Sequence, residues 1–208
     1  MAAPREIKIK FLVSDLKLLE QRLGRLGFRC VTPSTHEMNT LYDLPGQKLR
    51  RKGELLRLRK YGEKWTFTHK ARAKAGRYKS RVERETTIGD GQQMDAILRA
   101  LGHRQVFVYE KFRSEWSDGT GHVVLDHTPV GDVAEIEGPA RWIDRTAKAL
   151  GVAPADYITK SYAELFFEWK RKYKRKARNM TFREIGDSAK SRRSSATRSA
   201  ESEAGPGV

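Results

Sequence analysis

The sequence predicts an α+β protein in which the charged faces of several strands enclose a polar lumen and amphipathic helices lie between the strands in sequence. The stretch from Glu6 to Phe11 alternates charged and apolar residues, as a strand with one charged and one apolar face does. At least five later segments repeat this design, mostly with Arg, Lys and Glu at every second position. Other segments space apolar residues by three and four, as amphipathic helices do. So many charged strand faces in one chain suggest that they face each other across a shared lumen.

The first strand sets the pattern. Ile7, Ile9 and Phe11 are expected to pack against a core, which leaves Glu6, Lys8 and Lys10 together on the opposite face. A single strand of this kind would normally turn its charged face to water. The repetition of the pattern along the chain favours the lumen instead.

A helix is predicted next, with Ser14 as its cap and an end near Leu26, where Gly27 follows. Residues 30–45 are expected to be extended or looped. The basic stretch from Leu49 to Gly53 is expected to be a mobile loop.

Three charged strands are predicted in the middle of the chain. The first, from Leu55 to Lys60, places Arg57 and Arg59 on one face. The strand at residues 64–70 has Trp65 and Phe67 on its apolar face and carries Thr66, Thr68 and Lys70 on its polar face. After a basic hairpin loop at residues 71–78, the third strand aligns three further charged residues, Arg81, Glu83 and Glu85.

The second half continues in the same manner. A helix is predicted at residues 90–101 and a strand at residues 105–116, where Lys111 and Arg113 share a face. After the hairpin signal Asp118-Gly119, the next two strands contribute charged residues to the same set. A helix opened by Pro139 and a last helix capped by Ser161 and Glu164 follow. The acidic positions of the two strands are Asp126, Glu135 and Glu137.

Charge and composition bound the class of protein. The formal net charge of +16 indicates an anionic partner, although the run from Lys170 to Arg178 supplies much of the excess. Cys30 is the one cysteine, so an internal disulfide is excluded and a reducing cytoplasm is expected. No signal peptide or membrane span is visible. We predict one domain at residues 1–180 and a disordered polar tail at 181–208.

The converging faces would combine eight cations and six carboxylates. The cations would repel one another unless anions bind, and Arg forks match phosphate oxygens. The carboxylates would repel as well unless hard cations such as Mg²⁺ or Mn²⁺ bridge them to phosphates. The pattern therefore indicates a metal–polyphosphate site. Two alternatives stay open: Glu83 and Glu85 could simply neutralise Arg81 and Lys70, and Asp126 could orient a cation or bind metal.

These residues resemble the motifs of the CYTH superfamily of triphosphate tunnel metalloenzymes, which includes class IV adenylyl cyclases, thiamine triphosphatases and inorganic triphosphatases. The resemblance spans about residues 6–170. It comprises Glu6-x-x-x-Lys10, Leu-Arg57-Leu-Arg59, Thr-x-x-Lys70, Arg81-x-Glu83-x-Glu85, Lys111-x-Arg113, Asp126, Glu135-Ile-Glu137 and Lys160-Ser-Tyr162. The family's first motif is Glu-x-Glu-x-Lys, and this chain has Lys8 in place of the second glutamate.

The resemblance implies an eight-stranded antiparallel tunnel, with helices packed outside, that binds a triphosphate with Mg²⁺ or Mn²⁺. It implies catalytic roles for Glu6, Lys10, Lys70 and Asp126, and metal ligation by Glu6, Glu83, Glu135 and Glu137. The implied phosphate ligands are Lys8, Lys10, Arg57, Arg59, Lys70, Arg81, Lys111 and Arg113.

Three functions follow from the resemblance. The chain is most similar to the class IV adenylyl cyclase and thiamine triphosphatase branch, which implies conversion of ATP to cyclic AMP and pyrophosphate. The alternative is hydrolysis of tripolyphosphate or another triphosphate. A non-catalytic binder of nucleotide or polyphosphate is a third hypothesis, because Lys8 removes a metal ligand. Nucleic acid is expected only at the basic C-terminal run, and a homodimer is left open.

Overall fold

The structure is a computed structural model that describes the backbone of residues 5–73 and 79–186 and the side chains of residues 7–73 and 81–186. Most of the predicted hairpin loop at 71–78 and most of the predicted tail therefore lie outside the described residues. None of the described helices has the length and hydropathy of a membrane-spanning segment.

Eight antiparallel strands form one closed barrel, which confirms the predicted fold class. Around the barrel the order is β1-β5-β4-β3-β2-β6-β7-β8, and β1 closes the ring by pairing with both β5 and β8. The strands are β1 (Arg5–Val13), β2 (Arg29–Asp43), β3 (Leu55–Tyr61), β4 (Lys64–Lys70), β5 (Lys79–Ile88), β6 (Arg104–Ser117), β7 (His122–Thr128) and β8 (Gly131–Glu137).

The structure decides one open alternative and corrects one prediction. Residues 30–45, for which either an extended or a looped conformation was expected, belong mostly to β2. This is the longest of the described strands, and it pairs with β3 and β6. Its pattern was obscured because Pro33 and several shifts in register against β6 interrupt the alternation. The stretch from Leu49 to Gly53, predicted as a mobile loop, is instead mostly helical, because it overlaps the short helix α2 (Lys48–Lys52). The carboxylate of Asp43 accepts hydrogen bonds from the backbone N–H groups of Leu49 and Arg50, which fixes this helix.

Helices cover the outer face of the barrel. Helix α1 (Leu16–Arg25) and helix α4 (Ala140–Ala149) pack on the apolar outer residues of β1, β7 and β8, with Leu23, Ile136 and Ile143 fully buried. The cap of α1 is Asp15 and not Ser14, since the Asp15 side chain accepts a hydrogen bond from the N–H of Leu18. Helix α3 (Gly91–Ala100) packs on the outer side chains of β3 and β4.

Helix α5 (Tyr162–Lys172) differs from the others, because it packs against inner positions of the barrel at one end. The inner face of β6 changes along the strand from Lys111 and Arg113 to the aromatic residues Phe107 and Tyr109. These rings form one cluster with Tyr162 and Phe166 of α5. The helix therefore covers the apolar end of the barrel, and the charged part of the lumen lies beyond this aromatic cluster. Its N-terminus carries the predicted capping box.

The chain after α5 returns along β6. Met180 exchanges backbone hydrogen bonds with Val108 and Glu110 and covers an edge of that strand. Residues 182–186 are helical, and the ring of Phe182 packs on those of Phe112 and His127. The predicted tail boundary at residue 181 is therefore too early for residues 181–186, since these aromatic contacts hold them on the barrel. Residues 187–208 lie outside the described part.

Candidate functional site

The lumen of the barrel contains a cavity of about 770 Å³ whose lining is predominantly charged. Nine basic and four acidic side chains of the described residues line it, and β1, β3, β4, β5, β6 and β8 all contribute. Alternation along each strand turns these residues inward and the apolar ones outward; Arg84 is the exception, since it lies between Glu83 and Glu85 on the other face of β5. The basic residues are Lys8, Lys10, Arg57, Arg59, Lys70, Arg81, Arg84, Lys111 and Arg113, and the acidic ones are Glu83, Glu85, Glu135 and Glu137.

The structure thus brings together nearly all of the residues that the sequence suggested. All eight expected phosphate ligands line the cavity, as do three of the four expected metal ligands. Asp126 is the exception among the described side chains, because it is fully buried behind the lining. The backbone of Glu6 pairs with that of Arg81 between β1 and β5, and its side chain lies outside the described part.

One wall of the cavity is an ion-pair cluster between β1 and β8. Lys10 Nζ lies 3.0 Å from Glu135 Oε1, and Lys8 Nζ lies 3.4 Å from Glu135 Oε2 and 3.9 Å from Glu137 Oε2. Burial raises the pKa of Glu135, but Lys10, Lys8 and Arg113 together bring it well below its usual range. Glu135 is therefore ionised and already surrounded by cations.

The opposite wall is formed by β3, β4 and β5. The carboxylate of Glu85 accepts hydrogen bonds from Arg57 at 3.2 Å, from Arg59 at 3.0 Å and from the hydroxyl of Thr68 at 2.6 Å. Burial raises the pKa of Glu85, and these partners lower it below its usual value. Lys70 pairs with Glu83 beside this group. Because these carboxylates line the cavity, an incoming anion would compete with them for the same cations.

Asp126 instead supports cations from behind. Arg113 donates two hydrogen bonds to it, from Nε and Nη2, each 2.7 Å long, and Lys111 Nζ donates a third at 3.0 Å. The hydroxyl of Tyr162 also donates to Asp126. The ring of Tyr162 lies 4.4 Å from Lys111 Nζ and 4.6 Å from Lys10 Nζ, within cation–π range. Asp126 thus holds these groups at the wall of the lumen without lining the cavity.

Glu37 was missed by the sequence reasoning. It lies on β2 behind the lining, 1% exposed, and within 4 Å of charged atoms of Arg59, Lys111 and Arg113. The sequence feature that could have identified it is the alternation of Glu37, Asn39 and Leu41. This alternation lies in the segment 30–45, for which the sequence allows either an extended strand or a loop. Tyr162 ends the family motif Lys160-Ser-Tyr162, and its contacts with Asp126 and two lysines place it at the site as well.

The carboxylates of the lumen agree in kind with a hard divalent cation, since Mg²⁺ and Mn²⁺ bind one or two carboxylates together with water and substrate phosphates. Glu137 has a side chain that is 38% exposed to the cavity, and Glu135 lies two residues away on the same face. Lys8 Nζ lies within 4 Å of both and competes for this position. Within the described residues, no three Asp, Glu, His or Cys side chains cluster closely enough to hold an ion alone. The set fits a metal ion whose remaining ligands come from the substrate.

Comparison with known proteins supports the resemblance found in the sequence. The family model of the CYTH domain matches residues 4–162. The adenylate cyclase CyaB of Aeromonas hydrophila is 26% identical over 175 residues, which cover 77% of this chain and 87% of that protein. The protein MJ0240 of Methanocaldococcus jannaschii is 25% identical over 171 residues, which cover 77% of this chain and 97% of that protein.

Solved structures share the fold. The PH1012 protein of Pyrococcus horikoshii matches with a TM-score of 0.67 and 24% identity, covering 77% of this chain and 98% of that one. The HpAC1 protein of Hippeastrum, reported with a dominant triphosphatase activity, matches with a TM-score of 0.60 and 19% identity over 78% of this chain and 95% of that one. At these identities the likeness extends to the barrel and its helices.

Proposed function

This chain belongs to the CYTH domain family, and from that premise we propose that it binds ATP in the barrel and converts it to cyclic AMP and pyrophosphate with Mg²⁺ or Mn²⁺. The observation that carries the proposal is the closed lumen lined by nine basic side chains. Similarity to an adenylate cyclase over most of both chains supports the choice of reaction. The single cysteine fits the cytoplasm as the compartment.

Lys111 and Arg113 are proposed as the fixed part of the phosphate site. Their partner Asp126 lies behind them, so a phosphate can approach from the lumen without displacing it. Five further cations are paired with carboxylates of the lining and must exchange these carboxylates for phosphate oxygens. These cations are Lys8, Lys10, Arg57, Arg59 and Lys70. Arg81 lines the same cavity. Arginine forks favour bidentate phosphate contacts.

The metal is proposed to bind at Glu137 and Glu135, with Glu6 and Glu83 as further ligands. When bound, a divalent ion supplies charge neutralisation of the phosphates and polarisation of the phosphoryl group under attack. In the proposed reaction the ribose 3′-hydroxyl loses its proton to water, its oxygen bonds to the α-phosphorus, and the bond from that phosphorus to the pyrophosphate leaving group breaks. Lys10 and Lys70 would stabilise charge on the phosphate oxygens, and Asp126 would act through Lys111 and Arg113 as a positioning residue.

Hydrolysis of a triphosphate by water is the second candidate. The lining is dominated by charged groups, and Leu41, Leu55 and Ala163 are its only aliphatic members among the described residues. Such a lining favours recognition of the phosphate chain over recognition of a nucleobase. A third candidate, binding without turnover, is favoured by the position of Lys8 between two proposed metal ligands.

Product analysis distinguishes the three candidates. Purified protein is incubated with ATP, thiamine triphosphate or tripolyphosphate and with Mg²⁺ or Mn²⁺, and every product is identified by mass spectrometry. Cyclic AMP and pyrophosphate from ATP support the cyclase. ADP and orthophosphate from ATP, with no cyclic AMP, contradict the cyclase and support the triphosphatase. Binding of all three compounds without any product supports the non-catalytic binder.

A further inference from the structure

The carboxylate of Glu37 is enclosed by cations that themselves line the cavity. Its Oε1 lies 3.4 Å from Lys111 Nζ, and its Oε2 lies 3.8 Å from Arg59 Nη1 and 3.7 Å from Arg113 Nε. The side chain is 1% exposed and does not line the cavity. Glu37 is therefore a negative charge directly behind the wall of the lumen, out of contact with anything the lumen binds.

Its contacts differ from those of Asp126. Asp126 receives hydrogen bonds of 2.7–3.0 Å from Arg113 and Lys111, which fix these side chains in place. The same cations lie farther from Glu37, with Lys111 at 3.4 Å and Arg113 at 3.7 Å. Its Oε1 accepts from the amide of Asn39 at 2.8 Å, and its Oε2 has no hydrogen-bond donor within reach among the described residues. Glu37 thus acts on the three cations through charge more than through geometry.

The carboxylate is ionised despite its burial. Burial raises its pKa, but Lys111, Arg113 and Arg59 lower it by more, so the net pKa lies well below the usual value. Nine basic residues line the cavity and six carboxylates lie in or directly behind the lining, so the described side chains leave an excess of three positive charges. Neutralising Glu37 would raise that excess to four.

On the basis of the proposed function, we propose that Glu37 is an internal counter-anion that determines how much negative charge the lumen accepts, and so the selectivity of the site among phosphate chains of different length. The carboxylate offsets one of the charges that would attract a polyanion. Its repulsion of a ligand grows with the charge of that ligand. It therefore weakens binding most for the longest phosphate chains.

The test measures the affinity of the intact protein for orthophosphate, pyrophosphate and tripolyphosphate by calorimetry, at fixed ionic strength and without divalent ions. Glu37→Gln keeps the shape and removes the charge. One charge at roughly 10 Å through an effective dielectric constant of about 20 corresponds to a change of about tenfold. Because orthophosphate already carries at least one charge, we expect it to bind Glu37→Gln about tenfold more tightly, pyrophosphate to gain more and tripolyphosphate most.

Two variants serve as controls. Glu37→Asp keeps the charge and should bind all three ligands within about threefold of the wild type. Glu63→Gln makes the same chemical change at a side chain that is 95% exposed and pairs with Lys60 on the surface, so it should leave every affinity unchanged. Tighter binding by Glu63→Gln would contradict a specific role for Glu37.

Each remaining outcome is decisive. Equal or weaker binding of tripolyphosphate by Glu37→Gln, or the same factor for all three ligands, would overturn the inference while the proposed function stands. If Glu37→Gln does not fold on its own, added tripolyphosphate should restore the circular dichroism spectrum of the folded protein, because the bound anion replaces the missing negative charge. A spectrum that stays unfolded with tripolyphosphate would contradict the inference. Absence of tripolyphosphate binding by the wild type would reject both the proposed function and the inference.

Discussion

Replacing Lys8 by glutamate should increase the affinity of the lumen for a divalent ion. The ammonium group of Lys8 lies 3.4 Å from Glu135 and 3.9 Å from Glu137, where it occupies the space that a metal ion bound to both carboxylates would need. The substitution removes this competing cation and adds a carboxylate on the same inner face of β1. The charge at this wall becomes more negative by two units.

The size of the effect follows from these distances. A unit charge at about 4 Å is worth about 4 kcal/mol at an effective dielectric constant of 20. The substitution changes the charge by two units and the ion is divalent, but the Lys8 side chain is 19% exposed, so water and relaxation screen most of this Coulomb energy, and we expect about 2 kcal/mol to remain. That corresponds to roughly thirtyfold tighter binding of Mn²⁺ or Mg²⁺.

Calorimetric titration of Mn²⁺ into protein free of nucleotide measures this affinity without depending on turnover. Lys64→Glu is the matched control, because Lys64 is exposed at the start of β4 and the charge change is identical. Equal Mn²⁺ affinities for Lys8→Glu and Lys64→Glu would refute the assignment of Lys8 to a metal-binding position. A stronger affinity in Lys8→Glu alone would support it.

Three further predictions concern stability. Tyr162→Phe removes a buried hydrogen bond to a carboxylate and should lower the free energy of unfolding by about 2 kcal/mol in urea titrations; no loss would argue against that bond. The pKa of Glu37 is lower in the folded protein, so its contribution is present above about pH 4.5 and is lost as the pH falls toward the folded pKa. In that acid range Glu37→Gln should reduce the slope of unfolding free energy against pH by up to about 1.4 kcal/mol per unit, and an unchanged slope would contradict the shift. Gly121→Ala should destabilise by about 2 kcal/mol, because the new methyl group would lie 2.6 Å from the Trp142 ring, whereas Gly24→Ala has free space and should be neutral or stabilising in thermal melts.

The barrel could be predicted because its strands carry a signal of period two that is strong in charge as well as hydropathy. Alternation alone predicts inner-face positions for Arg57, Arg59, Lys111 and Arg113. All four line the cavity in the structure. Closure into eight strands was expected only from the family resemblance. Alternation specifies the faces of a strand and carries no information on which strands are neighbours.

The parts that escaped prediction depend on contacts between distant segments. Glu37 lies in a strand whose alternation is interrupted by Pro33 and by irregular pairing. Whether Asp126 would orient a cation or bind a metal was left open, and its burial depends on how Lys111 and Tyr162 fold over it. The sequence identifies a lumen carboxylate more readily than it tells whether that carboxylate faces the cavity or lies behind its wall.

The position of β1 has a consequence for the order in which the protein folds. Strands β2 to β5 and strands β6 to β8 are each neighbours in sequence and in the barrel, so both groups can assemble from local hairpins. β1 is synthesised before both β5 and β8, yet it pairs with each of them. It must therefore stay without its second partner until Glu137 has left the ribosome. During that time Lys8 and Lys10 interrupt its apolar residues and oppose premature association of the nascent strand with other chains, so the charges proposed to bind substrate in the finished barrel also protect the chain while it is being made.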